Sequence, residues 1–467
     1  MGQPYEQVYP APDDGARRRN HVRLPSRRRE SLRTTLWFVP AVLVAVAALA
    51  FLLTYALDQA AYNGTMALPW WIRTGSADAG RQILTAIAAA VITVVGVVFS
   101  ITILALTLAS QQFGPRMLRN FIRDRGTQFT LGAFVATFVY AVMALGSITT
   151  GRRGEFVPHI SITVALGLIL ADMGVLIYFI HHIAESIQLP EVIAGIAADL
   201  SNAIDAEFPE VESPGGGAEP EAPDGPPLEE LVASIRDEGV PVPATESGYL
   251  QFVGYAELAG IAEGADAVVL LAHRPGHFVI AGRPFATVYP RQAAGRVAAA
   301  LGKAHATGPH RTLSQDPVFA IDQLVEIAIR ALSPAVNDTF TALTCIDWLC
   351  DGLCKLSGRK LSEGVYRDRL GRIRLIEAGP SYARMVNRAF DKIRQAGRGM
   401  PAVAIRQVDG LARVMEYTRD PARRAVLVRQ AEMIVRAVDE AVPEAEDRVL
   451  VHARHADVLA AAARHDA

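Results

Sequence analysis

Between residues 36 and 183 the chain alternates long apolar runs with short polar loops. Four runs, Leu36–Leu57, Ile83–Ala109, Phe129–Ile148 and Ile160–Ile183, contain no Lys or Arg. Each reaches the roughly 20 apolar residues that a helix needs to cross a hydrocarbon core of about 30 Å. The pattern predicts four transmembrane helices, joined by the short loops 58–82, 110–128 and 149–159. The first run is too long, and followed by too much further apolar sequence, to be a cleaved signal peptide.

Past residue 183 the pattern changes. EVIAGIAADLSNAIDAEF has helical apolar spacing and predicts a juxtamembrane helix over 184–208. Residues 209–227, PEVESPGGGAEPEAPDGPP, offer almost nothing to bury and predict a flexible Pro/Gly/acidic linker. Over 228–290, YLQFVGYA, AVVLLAHR and HFVIAGRPFATVY are β-like runs split by the turns Arg274-Pro275-Gly276 and Gly282-Arg283-Pro284. The last of these segments is similar to the half-barrel of biotinyl/lipoyl-type domains. Those carry their cofactor on a hairpin lysine, and this chain has no Lys before Lys303. No cofactor is therefore expected. Residues 291–467 have helical spacing to the end. The fold class is an α-helical integral membrane protein with four spans, plus a cytoplasmic α+β domain: a small β-sandwich or half-barrel-like segment followed by helices.

Charge sets the orientation. Eight arginines fall between Arg17 and Arg33, and loop 110–128 holds Arg116, Arg119, Arg123 and Arg125. The other two loops hold Arg73 and Arg81, then Arg152 and Arg153. Basic residues flanking the spans accumulate on the cytoplasmic side, so both termini are expected there. The arm 1–35 is then a topology signal against anionic lipid, not a nucleic-acid tail. Cys345, Cys350 and Cys354 cluster in one apolar helical run, which suits buried reduced thiols better than a disulfide framework or zinc.

The second run is apolar but dotted with hydroxyls and amides. On a helical wheel Gln82, Thr85, Ala89, Thr93, Gly96, Ser100, Thr107, Ser110, Gln111 and Gly114 share a face roughly 100° wide, interrupted by Ile103 and Leu104. Two readings stay open. Small residues and hydroxyls one turn apart suit close helix packing. The same face can line a water-filled pathway with Ile103 and Leu104 as its constriction, provided that a homo-oligomer closes it.

Asp172 lies near the middle of the fourth run, with no Lys or Arg in any run to pair with it. A protonated carboxyl bonded to a threonine or to a tyrosine such as Tyr140 is weighed against a functional role. His181, His182 and Glu185 close that span. His181 and Glu185 share a face, but two such groups do not make a metal site, and interfacial capping is the simpler reading. In LSPAVNDTFT, Ser333 and Pro334 break one helix and Asn337 or Asp338 caps the next. The same turn could hold an anion at the helix start, or a cation through Asp316, Asp322 and Asp338. No phosphate-binding glycine loop, HExxH, nucleophile elbow or Cys–His signature is present, and no enzyme is expected.

FSITILALTLASQQFGPRMLRNFIRDR, LIYFIHHIAESIQ and DPVFAIDQLVEIAIRALSPAVNDTFTALTCIDWL, in that order, resemble the bacterial family of predicted membrane proteins called domain of unknown function 2254, over roughly residues 30 to 440. The resemblance implies a four-span inner-membrane protein with a cytoplasmic domain, and no activity. The expected function is a homo-oligomeric channel or transport protein with a cytoplasmic assembly or sensing domain. The alternative is a membrane-anchored sensor or scaffold without transport.

Overall fold

In a computed structural model the chain is described over residues 37–464, apart from 67–68, 70–71, 73–74, 114–123, 152–153, 187 and 211–225. The basic arm, most of the Arg-rich loop and most of the linker lie outside the described residues. The described chain divides into two compact units that meet between Val192 and Ile193.

The first unit holds α1 (Phe38–Tyr62), α2 (Ala77–Phe113), α3 (Arg125–Gly146) and α4 (His159–Ser186), with a hairpin of β1 (Thr149–Gly151) and β2 (Gly154–Phe156) between α3 and α4. All four helices are long and apolar enough to cross a membrane. They outrun the apolar runs, because hydropathy marks the hydrocarbon stretch while the helix continues past it. α1 thus continues five residues beyond Leu57 and takes in Asp58. α3 packs against each of the other three. Gly132 makes room for α1: a Cβ there would stand 2.6 Å from Leu43. The core joins Phe51, Leu84, Val91, Val98, Phe134, Ala141, Ile162 and Phe179.

The second unit starts within α5 (Leu189–Glu207). α6 (Leu228–Glu238), β3 (Val240–Pro243), β4 (Gly248–Val253), α7 (Tyr255–Gly264), β5 (Val268–Leu271), β6 (Phe278–Val279) and β7 (Pro284–Tyr289) follow. Then come α8 (Ala294–Leu301), β8 (His305–Gly308), α9 (Pro317–Ala331), α10 (Thr339–Ser357), β9 (Val365–Arg367), β10 (Ile373–Ile376), α11 (Tyr382–Ala396), α12 (Pro401–Glu416), α13 (Pro421–Ala441) and α14 (Ala445–Arg464).

The half-barrel expectation needs correction. There are two sheets, β3-β7-β5-β10-β9 and β6-β4-β8. They share a core with α7 and α8 through Leu250, Val253, Leu258, Val269, Phe285, Val297 and Leu375. Strands β8, β9 and β10 come from the stretch expected to be wholly helical. β10 pairs in parallel with β5, Leu375 opposite Val269, and all four of its residues are buried. A strand covered on both faces shows no alternation. Preceded by Asp368 and Arg372, and with the buried Arg374 inside it, it carries no strand signal.

Candidate functional site

The carboxyl ends of the parallel pair β5 and β10 open into a small polar cleft lined by Glu207, Tyr255, Arg274, Gln315, Asp316 and Glu377 among others. Crevices at such strand ends are where ligands bind in open α/β sheets. Arg274-Pro275-Gly276-His277 is a turn closed by the His277 N–H donating to the Arg274 carbonyl at 3.0 Å. Gly276 adopts φ +88°, and a Cβ there would collide with the Asp316 carboxylate. Glycine is thus required twice over, by backbone and by space.

Asp316 precedes α9 and is buried, at 5% exposure. Arg311 donates to its Oδ2 through Nε at 2.9 Å and Nη2 at 2.8 Å, and through Nη1 to Asp322 Oδ2 at 2.6 Å. Arg388 donates to Asp322 as well, 3.0 Å from Oδ2. Burial works against the Asp322 charge, but the bonds from Arg388 and Arg311 hold its carboxyl below the usual range. Glu377 leaves the end of β10 and is also buried. It accepts from the Tyr366 hydroxyl at 3.3 Å and bonds Tyr255. Burial raises it, against those bonds and the charge of Arg274. Glu207, at the end of α5, is pushed up to about 7, first by burial and then by the charges of Glu377 and Asp316. His277 is pushed down to about 4, by burial and then by Arg274 and other cations. The cleft therefore presents carboxyl groups that differ in readiness to ionise beside a fixed guanidinium. Such a set can hold a small polar ligand or exchange protons at neutral pH.

Of the residues expected at a ligand-holding turn, Asp316 belongs to this cleft and the others do not. Asp338 caps α10, accepting the Thr341 N–H at 3.1 Å and its hydroxyl at 2.6 Å. Asn337 adopts φ 51°, and its N–H closes the turn onto the Ser333 carbonyl at 2.8 Å. The Ser333 hydroxyl donates to the Arg330 carbonyl at 2.7 Å. Asp316 and Asp322 share Arg311, so a guanidinium occupies the place considered for a metal cation. Among the described residues no group of three or more His, Cys, Asp or Glu is arranged to hold a metal. Glu207, Glu377, Arg274 and Arg311 escaped sequence reasoning, because the end of one helix and three separate loops bring them together.

In the first unit, Thr93, Gly96, Ser100, Ile103, Leu104 and Thr107 are exposed, while Leu84, Ile87, Val91, Val98 and Ala105 on the opposite face are buried. Thr93, Ser100 and Thr107 each donate to the carbonyl one turn back, at 2.8, 2.8 and 2.9 Å. The Gln111 side chain lies outside the described residues. His181 pairs with Glu185 at 3.1 Å on the surface. His182 instead meets Asp124 at 2.9 Å, while Asp124 caps α3 through Gly126 and Thr127. Asp172 is buried and bonds Thr137. Tyr140 bonds Thr54 at 2.8 Å, and Thr54 accepts from Ser161 at 3.1 Å. Ser161 also donates to Asp58, at 2.7 Å. Asp58 stands one residue past the first apolar run, which is why it was overlooked.

Uncharacterized proteins of Mycobacterium bovis and of two Mycobacterium tuberculosis strains are each 33% identical over 384 residues, covering 81% of this chain and 71% of theirs. No solved structure matches the chain. The family model described as predicted membrane protein (DUF2254) matches residues 33–413. With its four apolar helices and that match over most of its length, the chain belongs to the DUF2254 family of predicted membrane proteins.

Proposed function

We propose that this membrane protein assembles as a homo-oligomer in a bacterial inner membrane, with the outward face of α2 lining a pathway for a small hydrated solute. The second unit lies in the cytoplasm and senses or regulates through its cleft. The observation that carries the reading is the orientation of α2. Leu84, Ile87, Val91, Val98 and Ala105 pack on its own bundle, while Thr93, Gly96, Ser100 and Thr107 point away from it among exposed apolar residues such as Val97, Phe99 and Leu104. A line of hydroxyls turned outward is served by water or by a second copy better than by lipid. The cytoplasmic placement of both termini rests on eight arginines before Leu36 and four in loop 110–128, against two in each of the other loops.

A second reading, a membrane-anchored sensor or scaffold without transport, draws on a different observation. The hydroxyls of Thr93, Ser100 and Thr107 are already satisfied by their own helix, as a packed or lipid-facing hydroxyl must be.

The two are separated with protein reconstituted in liposomes and assayed for ion flux. Under the pathway reading wild type conducts, and Ser100→Leu and Thr107→Leu abolish conduction at unchanged particle size. Absence of wild-type flux to any common ion overturns that reading. A smaller particle in the leucine variants, with permeability unchanged throughout, supports the scaffold.

A further inference from the structure

Asp172 stands at the centre of α4, thirteen residues after His159 and fourteen before Ser186, about 20 Å from either end at 1.5 Å per residue. It is 4% exposed. One hydrogen bond joins it to Thr137 of α3, and its Oδ2 is buried without a partner. The helices packed on α4 bring Tyr55, Asp58 and Tyr62 on α1, Asp78 and Arg81 on α2, Asp124, Arg125 and Tyr140 on α3, and α4 itself carries His159, Tyr178, His181, His182 and Glu185. Tyr140 and Asp58 are engaged with Thr54, Ile160 and Ser161, and Tyr178 is stacked on His182. Arg81 is engaged with Asp78 and His181 with Glu185. No Lys or Arg lies in α4 or between residues 126 and 146. A bare carboxylate in hydrocarbon costs at least a few kcal/mol without a cation. A group so placed is neutral at rest, which for a carboxyl means that it carries a proton.

A second orphan lies in the same interface. Thr130 Oγ1 is buried without a hydrogen-bond partner, seven residues before Thr137 and therefore on the same face of α3. It lies toward the end where His182 meets Asp124. Toward the other end, Tyr140, Thr54, Ser161 and Asp58 bond one another in an unbroken chain. Among the described residues of this unit, the buried side-chain atoms without a partner thus lie at Asp172 itself and on its His182 side. Phe134, 2% exposed, stands between Thr130 and Thr137.

We propose that Asp172 is a proton-binding site inside the bilayer, loaded and unloaded along the α3–α4 interface from the side of His182 and Asp124, with the Phe134 ring as the barrier. On loading, hydronium gives up one O–H bond and the Asp172 carboxylate gains one; on unloading, water takes the proton back. A threonine hydroxyl on the way accepts one proton and releases its own, so neither Thr130 nor Thr137 changes charge. The site lies within one chain and does not rest on the oligomeric pathway.

The test is infrared spectroscopy of the full chain in lipid vesicles, titrated in pH and exchanged into deuterium oxide. Wild type shows a carboxylic-acid carbonyl band at neutral pH that shifts on deuteration and is missing in Asp172→Asn, a near-isosteric change. Asp172→Glu moves the band without abolishing it, which covers the case of an asparagine variant that does not fold. Phe134→Ala speeds deuteration of the band at least tenfold, and Thr130→Val slows it by a similar factor. A spectrum without an Asp172-dependent acid band overturns the site, as does a band that disappears on adding sodium at constant pH. Loss of flux in Ser100→Leu with this band intact separates the fate of this proposal from that of the pathway.

Discussion

Asp58, near the end of α1, caps the beginning of α4 by accepting the Ser161 backbone N–H at 3.0 Å and the Ser161 hydroxyl at 2.7 Å. The Ile160 N–H joins the same carboxylate at 2.8 Å. Two orphan donors of one helix are satisfied by a side chain of another, and the first and fourth helices are thereby held in register. Asp58→Ala removes the cap and leaves buried donors unmet. A loss of about 2 kcal/mol is expected, seen as a lower unfolding temperature in detergent. Asp58→Asn retains one acceptor oxygen and should recover part of it.

Arg311 holds Asp316 and Asp322 at once, and its own side chain is 17% exposed. Its removal leaves Asp316 buried without its hydrogen-bonded cation, with only the more distant charge of Arg274 beside it. Arg311→Ala should cost about 3–5 kcal/mol, the usual result of stripping one partner from a buried pair. Arg311→Lys should rescue little, since an ammonium cannot reproduce a fork spanning two carboxylates. Chemical denaturation of the full chain in detergent, followed by tryptophan fluorescence, checks both variants.

Gly410 of α12 lies against the Cys350 sulfur of α10, and a Cβ at 410 would fall well inside contact distance of it. Both helices are buried there, Cys350 at 3% exposure. Gly410→Ala should therefore destabilise by about 1–3 kcal/mol through overpacking. In the double variant with Cys350→Ala most of that loss should return, a coupling that a double-mutant cycle measures directly.

Glu207 titrates at about 7 in the folded protein against 4.5 in an unfolded chain. Across that window the folded state binds more protons than the unfolded one, so stability falls as pH rises. The contribution is complete below about 4.5 and lost through about 7. Unfolding temperatures measured across this range should decline with pH, and Glu207→Gln should flatten the decline. An unchanged slope in the variant would assign it to other groups.

How much of this was legible in the chain depended on where each signal lives. The four membrane helices stand out because their solvent imposes a long, unbroken apolar run. The cap Asp338 and the turn ahead of it are local chemistry and could be anticipated from LSPAVNDTFT. β10 was hidden, because a short strand covered on both faces and flanked by Arg and Asp has no period to detect. The cleft was hidden for a related reason: Glu207, Arg274, Asp316 and Glu377 belong to four segments, and no spacing joins them. Asp58 was lost to an edge effect, as the apolar run stops one residue before it.

The pairing of β5 with β10 sets a schedule for the molecule's birth. Val269 must wait for Leu375, and at 5–20 residues added per second the gap is on the order of ten seconds. Throughout that interval β5 has an unpaired edge, after the spans before residue 192 have already left the ribosome. Unpaired strand edges invite aggregation. A nascent chain stalled before residue 373 is therefore the species on which chaperones and proteases should act, and ribosome-bound intermediates of that length should be the ones most readily cleaved.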